Sequence, residues 1–260
     1  MAKTQGGRKG KKARADGKAK AKPDGKLSPK LISKPKGKGE GKAVAVATAG
    51  AAAATEAGAS RLQAPGDRYP LPEIATLPDD VRERILAVQE KSGFVPNVFL
   101  KLARRPAEFR AFFAYYDALM LKEGNLSKAE REMIVVATSA LNNCLYCVVA
   151  HGAILRIYQK DPLVADQLAT NYRKAGLPAR QRAMLDFACK VAVSSATIDD
   201  EDHRLLQAHG FDAEDAWDIA AIAAFFALSN RIANFSGMMP NAEFYGMGRT
   251  PPAPAPRAVH

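Results

Sequence analysis

Cysteine is scarce, with three residues in 260, and that excludes the disulfide framework of a small secreted scaffold. A reducing, cytoplasmic setting follows as the default. No aromatic residue precedes Tyr69, so the first quarter of the chain has little with which to build a core. Long apolar runs are missing as well. The longest, Ile219 to Leu228, covers ten residues, short of the roughly 18 to 20 that a membrane span needs, and reads as a core helix or an oligomer interface. Hairpin dipeptides between alternating runs and β-α-β alternation are also absent, which leaves an all-α domain.

Negative charge is nearly missing from one segment. Residues 1–42 hold 15 Lys and Arg against Asp16, Asp24 and Glu40, a net of +12, whereas the whole chain carries +11. This Lys-, Gly- and Pro-rich segment has too little apolar surface to offset the entropy of ordering it, and is expected to be a disordered basic tail. It resembles a histone-like arm, whose reach would be weak, salt-dependent, non-specific nucleic acid binding through phosphates. An Ala/Gly-rich linker spans 43–67, the helical domain spans 68–249, and a Pro-rich C-terminal tail covers 250–260. The basic segment is too long for the n-region of a secretory signal, and Lys-rich rather than Arg- and Ser-rich as a transit peptide would be.

Within the domain helix signals follow one another. Asp79 and Asp80 are placed to cap a helix over "VRERILAVQEKSG", which Gly93 closes. A second begins near Pro106, with Phe109, Phe112, Phe113, Tyr116, Leu119 and Met120 on one face, and Gly124 as its stop. "LSKAEREMIVVATSALNN" opens on Ser127 and Glu130 at capping-box spacing, and Met133 to Ala137 are apolar all round, so this helix should be central. "CLYCVVAHGAILRIYQK" resumes the pattern, with Asn142 or Asn143 available as its cap. Further helices follow at "DPLVADQLATNYRKAG", "PARQRAMLDFACKVAVSS", "DDEDHRLLQAHG" and "DAEDAWDIAAIAAFFALSNRIANF", started by Thr197, Asp199 and Asp200 and by Asp212 with Asp215, and stopped at Gly176 and Gly210.

The residues that carry chemistry lie in "NNCLYCVVAHG". At 100 degrees per residue, Cys144 and His151 fall about 60 and 40 degrees to one side of Cys147, so all three share a narrow helical face. Both cysteines sit in the first turns, where free N–H groups and the helix dipole favour a thiolate. His151 can take a proton from a thiol within reach. Glu132, twelve positions before Cys144, can orient that histidine if the two helices pack antiparallel. Three readings stay open on these residues: a redox dithiol, a metal site with Glu132 as fourth ligand, or cysteines buried in a core. A thioredoxin-like site would need a strand before the C-x-x-C, and there is none. Cys189 reads as core, and His203, His209 and His260 receive no role.

Glu132, Cys144, Cys147 and His151 at this spacing resemble the alkylhydroperoxidase D core of the carboxymuconolactone decarboxylase-like superfamily. The flanking "LSKAEREMIVVATSALNNCLYCVVAHGAILR" and "NRIANFSGMMPNAEFYGMGR" are similar to its peroxidase-related branch. The resemblance implies a compact multi-helix bundle that forms homo-oligomers and reduces a hydroperoxide substrate without a cofactor or a metal. It also implies that Cys147 attacks, Cys144 resolves, Glu132 and His151 relay protons, and a lipoyl-type or thioredoxin-like dithiol reductant recycles the disulfide. Tyr146 departs from the best-studied members, which carry a second histidine there. The superfamily's decarboxylases generally lack the paired cysteines. The competing reading is a non-catalytic redox sensor held at nucleic acid by its basic tail.

Overall fold

A computed structural model describes residues 69–249; the basic tail, the linker, the Pro-rich tail and His260 lie outside the described residues. In chain order the helices are α1 (Asp79–Ser92), α2 (Asn97–Ala103), α3 (Pro106–Met120), α4 (Lys128–Leu141), α5 (Leu145–Gln159), α6 (Val164–Asn171), α7 (Ala179–Ser194), α8 (Asp200–Ala208), α9 (Ala213–Phe235) and α10 (Ala242–Gly246). Single 3-10 turns occur at Ile74–Thr76, Tyr172–Lys174 and Ser195–Thr197. Among the described residues there is no strand, as the sequence pattern predicts.

Local chemistry accounts for most of the helix ends. The Ser127 hydroxyl accepts the Glu130 N–H at 3.2 Å while the Glu130 carboxylate accepts the Ser127 N–H at 2.9 Å, a reciprocal box that satisfies two orphan donors. Asp199 with Asp202 and Asp212 with Asp215 close the same box on α8 and α9. Gly93 and Gly210 take φ of 82° and 80°, the left-handed conformation that glycine adopts without a Cβ clash.

Four boundaries differ from the sequence reading. Pro78 caps α1, and Asp79 and Asp80 fall inside its first turn, where their charge meets the positive end of the dipole. Helix α3 stops at Met120, ahead of Gly124. The loop beyond it is fastened by the buried Arg131, which donates to the carbonyls of Leu119 and Leu126. Helix α6 ends at Asn171 and tightens into a 3-10 turn before Gly176 is reached. The fourth concerns the corner between α4 and α5. Asn142 ends α4, Asn143 turns the chain at φ 51°, and Cys144 itself caps α5. An asparagine tolerates the left-handed conformation, so the pair is spent on the turn and the cap passes to the next residue.

Helix α4 is the centre of the fold. Residues Glu130 to Ser139 are all buried, and α5, α6, α7 and α9 pack around them. Met133, Ile134, Val135 and Val136 are fully excluded from water, and burying each such side chain stabilises the fold by about 1.5–3 kcal/mol. Leu155, Met184, Leu185, Ile219, Ile222 and Phe226 complete the same cluster. A second cluster joins Val81, Ile85, Phe109 and Phe113. A third gathers Cys144, Tyr146, Cys147, Ala150, Ala233, Met238 and Phe244, placing both thiols in apolar surroundings. At 23 residues α9 has the length and apolar composition of a membrane span, yet half of its most apolar window is buried inside the fold, and Asp215, Asp218, Ser229 and Asn230 are buried along it.

Because α4 carries the core, its cap bears on the whole domain. Ser127→Ala should cost about 1 kcal/mol, lowering Tm by roughly 2–4 °C. The exposed neighbour Lys128→Ala should change stability by less than about 0.5 kcal/mol. Thermal unfolding of both variants checks this; equal Tm values would contradict it.

Candidate active site

Helices α4 and α5 are joined by the short Asn142–Asn143 turn and lie side by side. That pairing brings Glu132, Cys144, Cys147 and His151 into one region. Glu132 sits in the middle of the core helix with 4% of its side chain exposed. A carboxylate buried to that degree needs a partner. It has one: His151 Nδ1 lies 2.7 Å from Glu132 Oε2. With Nδ1–H donating to the carboxylate, Nε2 is the nitrogen left to take up or release a proton. Phe226 packs edge-on against the imidazole at 4.7 Å, which fixes the ring plane from the α9 side.

The two thiols occupy the mouth of α5. Cys144 is its N-cap, and the Cys144 sulfur accepts the Cys147 N–H at 3.4 Å, one of the free donors of the first turn. Both side chains are buried and unbridged. The Cys144 thiol is lowered to about 7 by its hydrogen bond with the Cys147 side chain, by the Cys147 N–H, by the Asn230 amide and by the charge of His151, against the opposing effect of burial. Cys147 is pushed up by the same shared bond, by burial and by the charge on Cys144. The two thiols therefore titrate as a pair, and the Cys147 N–H on the Cys144 sulfur favours the negative charge on Cys144.

Helix α9 supplies residues that the sequence reading did not single out. Ser229 Oγ lies 3.9 Å from Cys147 Sγ, and the fully buried Asn230 bonds Asn142 and Ser139 at the end of α4. The signal was present, as two polar residues closing the run "IAAIAAFFAL", but its partners are 82 or more positions away.

Tyr146 points elsewhere. Its hydroxyl accepts the Val98 N–H at 3.2 Å, its ring meets Phe244 edge-on at 6.5 Å, and burial pushes its phenol up. It acts as a strut between α5, α2 and α10, and its observed hydrogen bond goes to neither Glu132 nor His151. Cys189 lies in the main core with its thiol raised to about 11 by burial. It lines a cleft of about 720 Å³ together with Tyr172, Asp186, Lys190 and His209. That cleft shares no residue with the dithiol site. His203 packs on Phe187 at 5.7 Å. Among the described residues no group of three or more His, Cys, Asp or Glu side chains is arranged to hold a metal ion, and Glu132 spends its carboxylate on His151 instead of on the sulfurs.

Comparison with known proteins bears on the fold and the family. The model of the carboxymuconolactone decarboxylase family matches residues 106–162, a stretch containing all four residues. A solved alkylhydroperoxidase core, an uncharacterised peroxidase-related protein of Ralstonia eutropha JMP134, is similar at 71% identity and TM-score 0.71, over 71% of this chain and 97% of that one. A peroxidase-related protein of Silicibacter sp. TM1040 is similar at 45% identity and TM-score 0.68, over 74% of this chain and all of that one. The debrominase Bmp8 shares the fold at 21% identity and TM-score 0.55, over 67% of this chain and 92% of that one. No curated protein matches the chain. From the fold, the family match and these two relatives, the chain belongs to the alkylhydroperoxidase D-like, peroxidase-related branch of the carboxymuconolactone decarboxylase-like superfamily.

Proposed function

We propose that the protein is a thiol peroxidase that reduces hydroperoxides with the Cys144–Cys147 pair. The observation that carries this is the buried Glu132–His151 bond at 2.7 Å one turn beyond the thiols. A structural core has no use for a paired acid and base at that position, and a proton relay does.

In the first step one thiol proton passes to His151, which Glu132 orients, and the pair is left with a single negative charge. With that charge on Cys147 and the second proton on Cys144, Cys147 is the attacking residue that the family resemblance assigns. The Cys147 thiolate then attacks the terminal oxygen of ROOH. The O–O bond breaks, the S–O bond forms, and the leaving alkoxide takes the proton from His151 to become an alcohol. Cys144, now a thiol, gives its proton to His151 and attacks the sulfenic sulfur, releasing water and closing the disulfide. An external dithiol, lipoyl-type or thioredoxin-like, restores the pair by exchange and leaves oxidised. The cycle needs a reducing compartment, in keeping with a cytoplasmic setting.

Two further readings accompany the chemistry. Trp217, Leu228 and Phe235 are exposed and fall within about 20 degrees of one another around α9, a surface suited to a second copy in a homo-oligomer. Residues 1–42, at net +12, would attach the domain loosely to nucleic acid, and their deletion should leave peroxide chemistry intact.

Titration with an organic hydroperoxide should lower the thiol count under denaturing conditions from three per chain to one, the survivor being Cys189. In Cys147→Ser the two remaining thiols should persist. A wild-type count that stays at three would end the peroxidase reading. His151→Gln should slow peroxide consumption by roughly 100- to 10,000-fold, the usual worth of a general acid–base group; a rate within about threefold of wild type would remove His151 from the relay.

A further inference from the structure

A buried hydroxyl on a helix commonly turns back to a carbonyl of the preceding turn. Thr138 does so toward Ile134 at 2.7 Å, and Ser236 toward Ala233 at 3.4 Å. Ser229 is also buried and does not. Its Oγ faces α5 instead, 3.9 Å from Cys147 Sγ, and that sulfur is the one hydrogen-bond partner its side chain has among the described residues. Neighbours on α9 set the place of this hydroxyl. Asn230 Oδ1 accepts the Asn142 Nδ2–H and Asn230 Nδ2 donates to Ser139 Oγ, both at 2.9 Å, while Asn234 Nδ2 donates to the Asn142 carbonyl at 3.1 Å. The Cys144 N–H in turn donates to the Ser139 carbonyl at 3.0 Å. The last turns of α9 are therefore fastened to the corner from which α5 starts, and Ser229 is carried with them to the second cysteine.

Each sulfur thus has a partner of its own, from a different element. Cys144 Sγ accepts the Cys147 N–H at 3.4 Å, and Cys147 Sγ faces the Ser229 hydroxyl. While Cys147 is a thiol, either atom can donate. Once the sulfur is a thiolate only the O–H can, and the contact becomes charge-assisted. We propose that the Ser229 hydroxyl donates to the Cys147 thiolate and draws the negative charge of the dithiol from the helix mouth to the sulfur that attacks. The backbone N–H and the hydroxyl pull the same charge toward different sulfurs, so the balance between them sets which thiol is the nucleophile.

A hydroxyl suits this place better than a cation would. A lysine here would be left with a buried, unpaired charge once the disulfide forms, whereas a hydroxyl loses only one hydrogen bond. Its proton also rotates about a single bond, so the same oxygen can accept from the thiol and donate to the thiolate without moving. Alanine would leave a buried Cys147 thiolate with one donor fewer, and would disfavour that form.

That Cys147 is the attacking thiol rests on the peroxidase reading, but the donation from Ser229 does not, so the two can fail separately. The test is alkylation of the reduced full chain by substoichiometric iodoacetamide at neutral pH, in parallel with hydroperoxide consumption. Peptide mass spectrometry reads the label on Cys147 against that on Cys144. Both residues are 1% exposed, so access does not separate them. In Ser229→Ala the Cys147-to-Cys144 ratio should fall by about fivefold or more, the worth of roughly one hydrogen bond, and hydroperoxide consumption should slow by a similar factor. Ser229→Thr keeps the hydroxyl and should hold the ratio within about twofold of wild type. Ser236→Ala removes a buried hydroxyl from the same helix end without touching a sulfur, and should leave the ratio in place. If Ser229→Thr does not fold, Ser229→Ala alone decides. A wild-type ratio in the folded Ser229→Ala protein overturns the proposal, as does an equal fall in Ser229→Thr or Ser236→Ala. A ratio that falls in Ser229→Ala alone, in a protein that consumes no peroxide, supports Ser229 and removes the peroxidase reading instead.

Discussion

A carboxylate buried in an apolar helix has to be paired or neutralised, and in this chain that requirement falls on Glu132. Helix α4 carries it because the helix is enclosed on all sides by α5, α6, α7 and α9, so no solvent-facing position is available in its middle turns. The partner comes from α5, which the two-residue Asn turn folds back beside α4. His151 answers the acid at 2.7 Å. Packing and chemistry are thus one constraint: the close approach of α4 and α5 also aligns an acid and a base beside two thiols.

The electrostatics follow from where each group sits. Cys144 is at the helix cap with a backbone N–H on its sulfur, whereas Cys147 sits one turn inside and is equally buried. That N–H favours the charge on Cys144. The attacking role assigned to Cys147 by family likeness then requires a proton shift across a single bond, which is a short step in a dry site. Cys189, in the main core and inside α7, has its thiol raised by burial, the outcome for a thiol in this fold away from a helix mouth.

Much of this was legible in the sequence because it is local. The capping box at Ser127, the helix starts at Asp199 and Asp212, the all-apolar run of α4 and the shared face of Cys144, Cys147 and His151 all depend on near neighbours in the chain. Glu132 was legible through its spacing to Cys144 across a short turn. Helices α2 and α10, at seven and five residues, are too short to show a period of 3.6. The cap of α5 was read at Asn142 or Asn143, ahead of Cys144, because either asparagine serves as a cap or as a turn residue, and only tertiary geometry chooses. Ser229 and Asn230 were hidden for a different reason: on α9 they look like the polar edge of an apolar stripe, and their meaning lies in residues 82 or more positions away. Tyr146 drew notice as a departure from better-known relatives, and its hydrogen bond to Val98 gives it a bracing role that spacing could not reveal.

The central claim is that the Glu132–His151 pair carries the protons of the dithiol reaction, and the rate of hydroperoxide consumption measures it directly. Glu132→Gln keeps an oxygen for His151 Nδ1–H while removing the carboxylate charge that assists proton transfer to the imidazole. Consumption should fall by about tenfold or more in the folded variant, with all three thiols still present. A variant that consumes hydroperoxide at the wild-type rate would contradict it.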